Sequence, residues 1–221
     1  MSPGIPADLF VKHLIAQQAK SFFGYGPKGR AQALLQGRIA VFASDLQGPG
    51  LMAALSADPF GRLCMRHIND LYVEATADQL RRLAAEQFGI PRLDVVSDID
   101  FEAGISLGVA IADRALPSAA PDAPAPAALV AGISAALRAP AEVRLGPSLL
   151  VAWADPPAGI SPPQRPDPEA VFSFLRAWDA FRPGLAERLR TAAPPARGTF
   201  AALVGGRLLA GVLLTDSASG R

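Results

Sequence analysis

Two Asp-Pro pairs, Asp58-Pro59 and Asp167-Pro168, constrain the fold more than any other feature of this chain. Asp accepts a hydrogen bond from the free amides of a helix start, and Pro suits the first helical position, where no N–H is needed. Each pair therefore opens a helix, and each stands between two sets of hydrophobic runs. IAVFASD (39–45) has a counterpart in LLVAWAD (149–155), and LGVAIAD (107–113) in LAGVLLTD, which ends at Asp216. The shared order and near-constant offset of these matches predict two diverged copies of one αββαββ unit. The expected fold class is α+β, with two tandem units forming a pseudo-two-fold pair of mainly antiparallel sheets. One such unit covers only one face of its sheet, so the two would bury their apolar faces on each other, in effect a homodimer fused into one chain. Residues 7–113 and 128–216 are expected to superpose.

The boundary between the copies is the run LPSAAPDAPAP (116–126), where Pro restricts the backbone and no periodicity survives. The expected organisation is a first unit over 1–115, a Pro/Ala-rich linker over 116–127 and a second, degenerate unit over 128–221. In the first unit, Ala7–Phe23 reads as an amphipathic helix with Val11, Ile15, Ala19 and Phe22 on one stripe, ended by Gly24-Tyr25-Gly26-Pro27. Arg30–Gln36 and Arg38–Ser44 read as strands around Gly37. A helix then runs from Pro59 toward Phe88, with a break expected near Ala77-Asp78. Arg92–Ser97 and Ile105–Ala112 follow as strands around the connection Asp98–Gly104. In the second unit, Leu129–Arg138 reads as a helix, Glu142–Leu145 with Leu149–Ala154 as a hairpin, and Phe200–Val204 with Leu208–Leu214 as another. Pro156–Pro168 reads as a long loop.

Composition bounds the setting. Half of the residues are hydrophobic, yet no stretch approaches the roughly 18 uninterrupted apolar residues of a spanning helix. Met1–Pro6 lacks the basic and apolar regions of a signal peptide. A single cysteine excludes an internal disulfide framework and suits a reducing compartment, and a net charge of +1 provides no field for nucleic acid. These features predict a cytoplasmic protein that does not bind nucleic acid.

Three places could hold chemistry. Cys64 and His67, at i and i+3 on the long helix, could form a thiolate–imidazole pair or half a zinc site. The only other histidine is His13, so a buried small thiol on the sheet-facing stripe with Phe60 and Leu71 is the preferred reading, with no metal. Ser97-Asp98-Ile99-Asp100-Phe101-Glu102 places three carboxylates together, enough for acid–base work or a cation. A solvated turn with Asp98 bonded to its own backbone is preferred there. Gly24-Tyr25-Gly26-Pro27, with Lys28 and Arg30 nearby, could offer backbone amides to an anion, but it follows a helix rather than opening one and reads as a C-cap. No phosphate-loop, nucleophile-elbow or zinc-protease motif occurs.

Gly24-Tyr25-Gly26-Pro27, the Gly37 hairpin, Arg66 on the long helix and Val96-Ser97-Asp98-Ile99-Asp100 together resemble the MpsC-like family, over about residues 7–113. The chain departs from that family at LQGPGLMAAL (46–55), which lacks the Thr and Glu of the family's Leu-Thr-x-x-Glu stretch. The second unit has lost both G-x-G-P and S-D-I-D. The family is named for an accessory component of a bacterial membrane-potential-generating system linked to cation translocation and inorganic-carbon supply. The resemblance implies a non-enzymatic accessory or regulatory role, with a protein partner such as the cytoplasmic face of a membrane complex. Gly24, Tyr25, Gly26, Pro27, Arg30, Arg66, Asp98 and Asp100 are the candidate ligand- or partner-binding residues, with no catalytic residue and no cofactor. A small-ligand or ion sensor using Arg66, Asp98 and Asp100 is the alternative, followed by an enzyme using Cys64 and His67. Homo-oligomerisation stays open. If Arg66 pairs with Asp98 or Asp100, the motif is one charge-assisted cluster.

Overall fold

The computed structural model describes residues 31–45, 51–117, 119–162, 167–193 and 195–215. The expected helix over Ala7–Phe23, the turn Gly24-Tyr25-Gly26-Pro27 and Arg30 lie outside the described residues. The fold is α+β with two antiparallel sheets. The first is built from β1 (Ala31–Gln36), β2 (Ile39–Asp45), β3 (Leu93–Asp100) and β4 (Ile105–Ala112), in the order β1-β2-β4-β3. The second adds β5 (Ala123–Pro124) to β6 (Ala141–Leu145), β7 (Leu149–Ala154), β8 (Ala196–Val204) and β9 (Arg207–Leu214), in the order β5-β6-β7-β9-β8. Without the short edge strand β5, the two orders are the same.

The strand periodicity explains the high apolar content. Along β7, Leu149 and Val151 point to one face while Leu150 and Ala152 point to the other, and all four are buried. On the inner faces, Val41, Leu107 and Val109 of the first sheet meet Leu149, Val151, Phe200 and Leu209 of the second. The outer faces are covered by helices, so central strands bury both sides and read as continuous hydrophobic runs. The fit is tight at Gly211, where a Cβ would stand 2.1 Å from the Phe200 ring. Laying IAVFASD on LLVAWAD pairs Gly108 with Ala210, since Phe42 opposes Gly108 and Ala152 opposes Ala210. The Gly-Val pairs at 108–109 and 211–212 are thus one residue out of step, and the two glycines face opposite sides of their sheets.

Helices α1 (Leu51–Ala57) and α2 (Pro59–Phe88) precede β3, α3 (Ala127–Leu137) precedes β6, and α4 (Pro168–Ala192) precedes β8. Asp58 and Asp167 are the N-caps of α2 and α4, accepting from the Gly61 and Ala170 amides. The expected break at Ala77-Asp78 is absent: α2 is one helix of 30 residues that stops at Gly89 in a left-handed conformation. Its sheet-facing stripe, Arg66, Asn69, Val73, Ala77, Leu80 and Ala84, keeps helical spacing throughout.

The segment expected as a linker is stitched to both sheets. The amide of Gly37, a turn residue at φ 53°, donates to the Ala120 carbonyl, and the Ala120 amide donates to Leu35. Ala123 and Pro124 then pair with Leu145 and Arg144 of β6. One strap therefore bonds to the Leu35–Gly37 end of β1 and to the Arg144–Leu145 end of β6, and the β3 and β8 edges lie at the opposite side. An unpaired edge is a template for unwanted pairing unless something occupies it.

Candidate functional site

Carboxylates occupy the β3 and β8 edges. Asp98 and Asp100 are buried strand residues, not a solvated turn, because β3 runs on to Asp100. Both point to the same face, two residues apart. The outward amides of β8 at Thr199 and Ala201 have the same spacing, so each carboxylate meets one amide. Asp98 Oδ2 accepts from the Ala201 N–H at 2.8 Å, and Asp100 Oδ2 accepts from the Thr199 N–H and hydroxyl, both at 2.8 Å.

Arginines from both long helices complete the cluster. Arg66 of α2 donates to Asp98 Oδ1 at 2.9 Å and, through Nε, to Asp179 Oδ1 of α4 at 3.2 Å. Arg62 donates to the other Asp179 oxygen at 3.1 Å. Arg182 of α4, with a side chain only 2% exposed, donates to Asp98 Oδ2 at 2.7 Å and to the Thr199 carbonyl at 2.7 Å. Arg190 pairs with Asp100 and Glu102, and the Arg66 guanidinium lies 4.9 Å from the Phe101 ring centroid. Arg62, Arg66, Arg182 and Arg190 thus face Asp98, Asp100, Asp179 and Glu102, and the cluster is neutral.

Its electrostatics follow from the geometry. Burial by itself would raise the Asp100 carboxyl, but the Arg182 charge and bonds from Ala103, Arg190 and Thr199 outweigh it and hold the group below the usual carboxylate range. Asp98 takes two donors on Oδ2 and one on Oδ1, and both Asp100 oxygens are engaged. Their role is to join the two halves. One cluster atom, the buried Nη1 of Arg182, has no partner among the described residues.

Of the sequence-selected residues, Arg66, Asp98 and Asp100 come together here, while Gly24, Tyr25, Gly26, Pro27 and Arg30 are outside the described residues. Sequence reasoning missed Asp179, Arg182 and Thr199. The signal was present: Asp179 and Arg182 interrupt the apolar stripe Leu175, Trp178, Leu185, Leu189 on α4, and charges on a buried stripe require partners. Cys64 also departs from expectation. Phe60 and Leu71, its expected sheet-facing companions, are 65% and 44% exposed, so that stripe lies on the outer side of α2. Cys64 is half-buried there, and the His67 ring lies 6.1 Å from that of Phe172. Among the described residues no three His, Cys, Asp or Glu side chains form a group able to hold a metal ion.

Beside the cluster, residues of α2, α4, β3 and β8 line a cleft of about 440 Å³. Its floor is the β3 edge from Val95 to Ile99 and the β8 edge from Ala201 to Leu203. Phe174 and Trp178, with rings 6.1 Å apart, form the α4 wall, and Asp70, Glu74 and Asp78 rise in successive turns along the α2 wall. Asp78 pairs with Arg81, and Asp70 accepts from the Ser97 hydroxyl. Although exposed at its surface, Asp70 is crowded by protein on its inner side. That desolvation, with Asp98 nearby, holds its carboxyl above the usual range despite the Ser97 bond and the opposing Arg66 and His67 charges. No family model, no curated protein and no solved structure matches this chain.

Proposed function

We propose that this protein is a non-enzymatic accessory or regulatory protein that binds a protein partner in the cleft between α2 and α4. The observation that carries the reading is the cleft itself: a recess of about 440 Å³ that joins an aromatic wall to a charged one, framed by two strand edges and lying beside a neutral, buried ion cluster. Aromatic contact area bordered by polar and charged groups is the composition of a protein interface. The candidate catalytic carboxylates are consumed in ion pairs, which favours binding over chemistry. The resemblance to the MpsC-like family supplies a setting, the cytoplasmic face of a membrane complex. No helix among the described residues is long and apolar enough to cross a membrane.

The test is co-purification from the native host, membranes included, with the wild-type chain and with Val95→Trp, which adds bulk at the cleft floor and is confirmed as folded by circular dichroism. A protein that co-purifies with the wild type and with Phe60→Ser on the outer side of α2, but not with Val95→Trp, supports the reading. An unchanged set of proteins on Val95→Trp overturns it. The volume also falls within the roughly 300–1,000 Å³ of small-molecule sites. A ligand sensor is therefore the second reading, favoured if a small-molecule extract raises the melting temperature of the wild type and not of Val95→Trp.

A further inference from the structure

We propose that the occupant of the cleft is an extended segment of the protein partner that carries a basic side chain next to an apolar one. The inference rests on the partner-binding reading and adds the chemistry of the segment.

The case begins with the strand edges. Odd-numbered residues of β3 direct their backbone groups away from β4: the Leu93 carbonyl accepts from Arg81 and the Ile99 carbonyl from Arg66. Val95 and Ser97 lie between them with the same orientation. Leu203 holds the same position on β8, because Thr199 and Ala201 turn their amides outward to Asp100 and Asp98. Carboxylates and guanidinium groups close the seam around residues 98–100 and 199–201, and the cleft lies over the stretch beyond, where β3 and β8 remain sheet edges. An edge recognises an extended chain through its backbone, and pockets beside it select alternate side chains.

Charge complementarity sets the rest. Asp70 and Glu74 stand one helical turn apart on the rim, and neither is ion-paired among the described residues. The arginines in the lining are committed elsewhere, Arg66 to Asp98 and Asp179, and Arg81 to Asp78. Across the cleft, half-buried Phe174 presents apolar and π surface, with the ring of buried Trp178 6.1 Å from its own. A lysine or arginine side chain has the matching form, an apolar stem that packs on the aromatic wall and a cationic head that reaches the rim. The Asp70 carboxyl, which has no ion pair among the described residues, gains a charged partner from such a head group.

Two acetylated, amidated tetrapeptides, Leu-Arg-Leu-Arg and Leu-Glu-Leu-Glu, test this on the full chain by calorimetry and by the emission of Trp178, with Trp153→Phe to isolate that signal. The basic peptide is expected to bind and the acidic one not. Glu74→Gln and Asp70→Asn, each confirmed as folded by circular dichroism, are expected to weaken the basic peptide by about tenfold. Backbone N-methylation of the peptide is expected to abolish binding, which separates an extended chain from a free cation; agmatine serves as the free-cation control. Binding of neither peptide, equal binding of both, indifference to Glu74→Gln and Asp70→Asn, or agmatine binding as well as the peptide overturns the inference. A host partner lost on Val95→Trp but retained on Glu74→Gln and Asp70→Asn would sink this inference and leave the partner-binding reading standing.

Discussion

Asp98→Asn tests the seam between the two halves. Asp98 accepts from Arg66 on one oxygen and from Arg182 and the Ala201 amide on the other, with its side chain 1% exposed. Asparagine offers one acceptor oxygen and one NH2 group, so one set of donors must face another donor. If the oxygen serves Arg182 and Ala201, the Arg66 Nη1 loses its charged partner; if it serves Arg66, two donors are orphaned. Either arrangement also leaves the buried cluster with an excess positive charge. Breaking a buried pair by removing one partner costs about 3–5 kcal/mol. For a chain of this size that corresponds to a fall in Tm of roughly 6–20 °C. Urea unfolding followed by circular dichroism and tryptophan emission measures the loss, with Asp78→Asn as control. The Asp78–Arg81 pair is largely exposed, at 82% and 48%, and its loss is worth no more than about 1 kcal/mol. A double-mutant cycle of Asp98→Asn with Arg182→Met should give a coupling above about 1 kcal/mol. If Asp98→Asn lies within experimental error of Asp78→Asn, the seam does not hold the halves together.

Three further outcomes follow from the same geometry. Asp100 is held below its ordinary value of 3.8, so its contribution is present above that pH and is lost as pH falls through the folded value. Acid titration of stability should be flatter in Asp100→Asn than in wild type, and identical slopes would contradict the assignment. Asp70 is shifted the other way, so its ionisation works against folding as pH rises through the raised value; Asp70→Asn should leave Tm at pH 7 unchanged or higher and lose that advantage in acid, whereas a clear drop at pH 7 would refute it. Gly211→Ala places a methyl against the Phe200 ring and should cost about 1–3 kcal/mol in urea unfolding, partly recovered by Phe200→Leu; no recovery would mean the strain lies elsewhere.

What was legible in the sequence came from local signals. The two Asp-Pro helix starts, the strand runs and the turn at Gly37 are short-range features, and the structure places elements at each. Asp98 and Asp100 were misread because alternation of polar and apolar residues in S-D-I-D suits a solvated turn as well as a strand edge. Only the partner amides of Thr199 and Ala201, about a hundred residues away, distinguish the two. Cys64 was misplaced for a related reason: Phe60 and Leu71 mark an apolar stripe, but the buried face of α2 is the one bearing Arg66 and Asn69. The strap at 116–124 escaped notice because proline-rich composition speaks of stiffness and not of where the backbone bonds go. The cleft is a tertiary product of four elements and has no signature in any one of them.

The central claim, that a protein partner enters the cleft, is tested most directly by site-specific photocrosslinking in the native host. A photoreactive side chain at Glu74, on the cleft rim, should yield one dominant protein adduct. The same side chain at Glu142, an exposed position on β6 at the opposite side of the second sheet, should yield none. Adducts of equal yield from both positions, or no adduct from Glu74, would contradict the account.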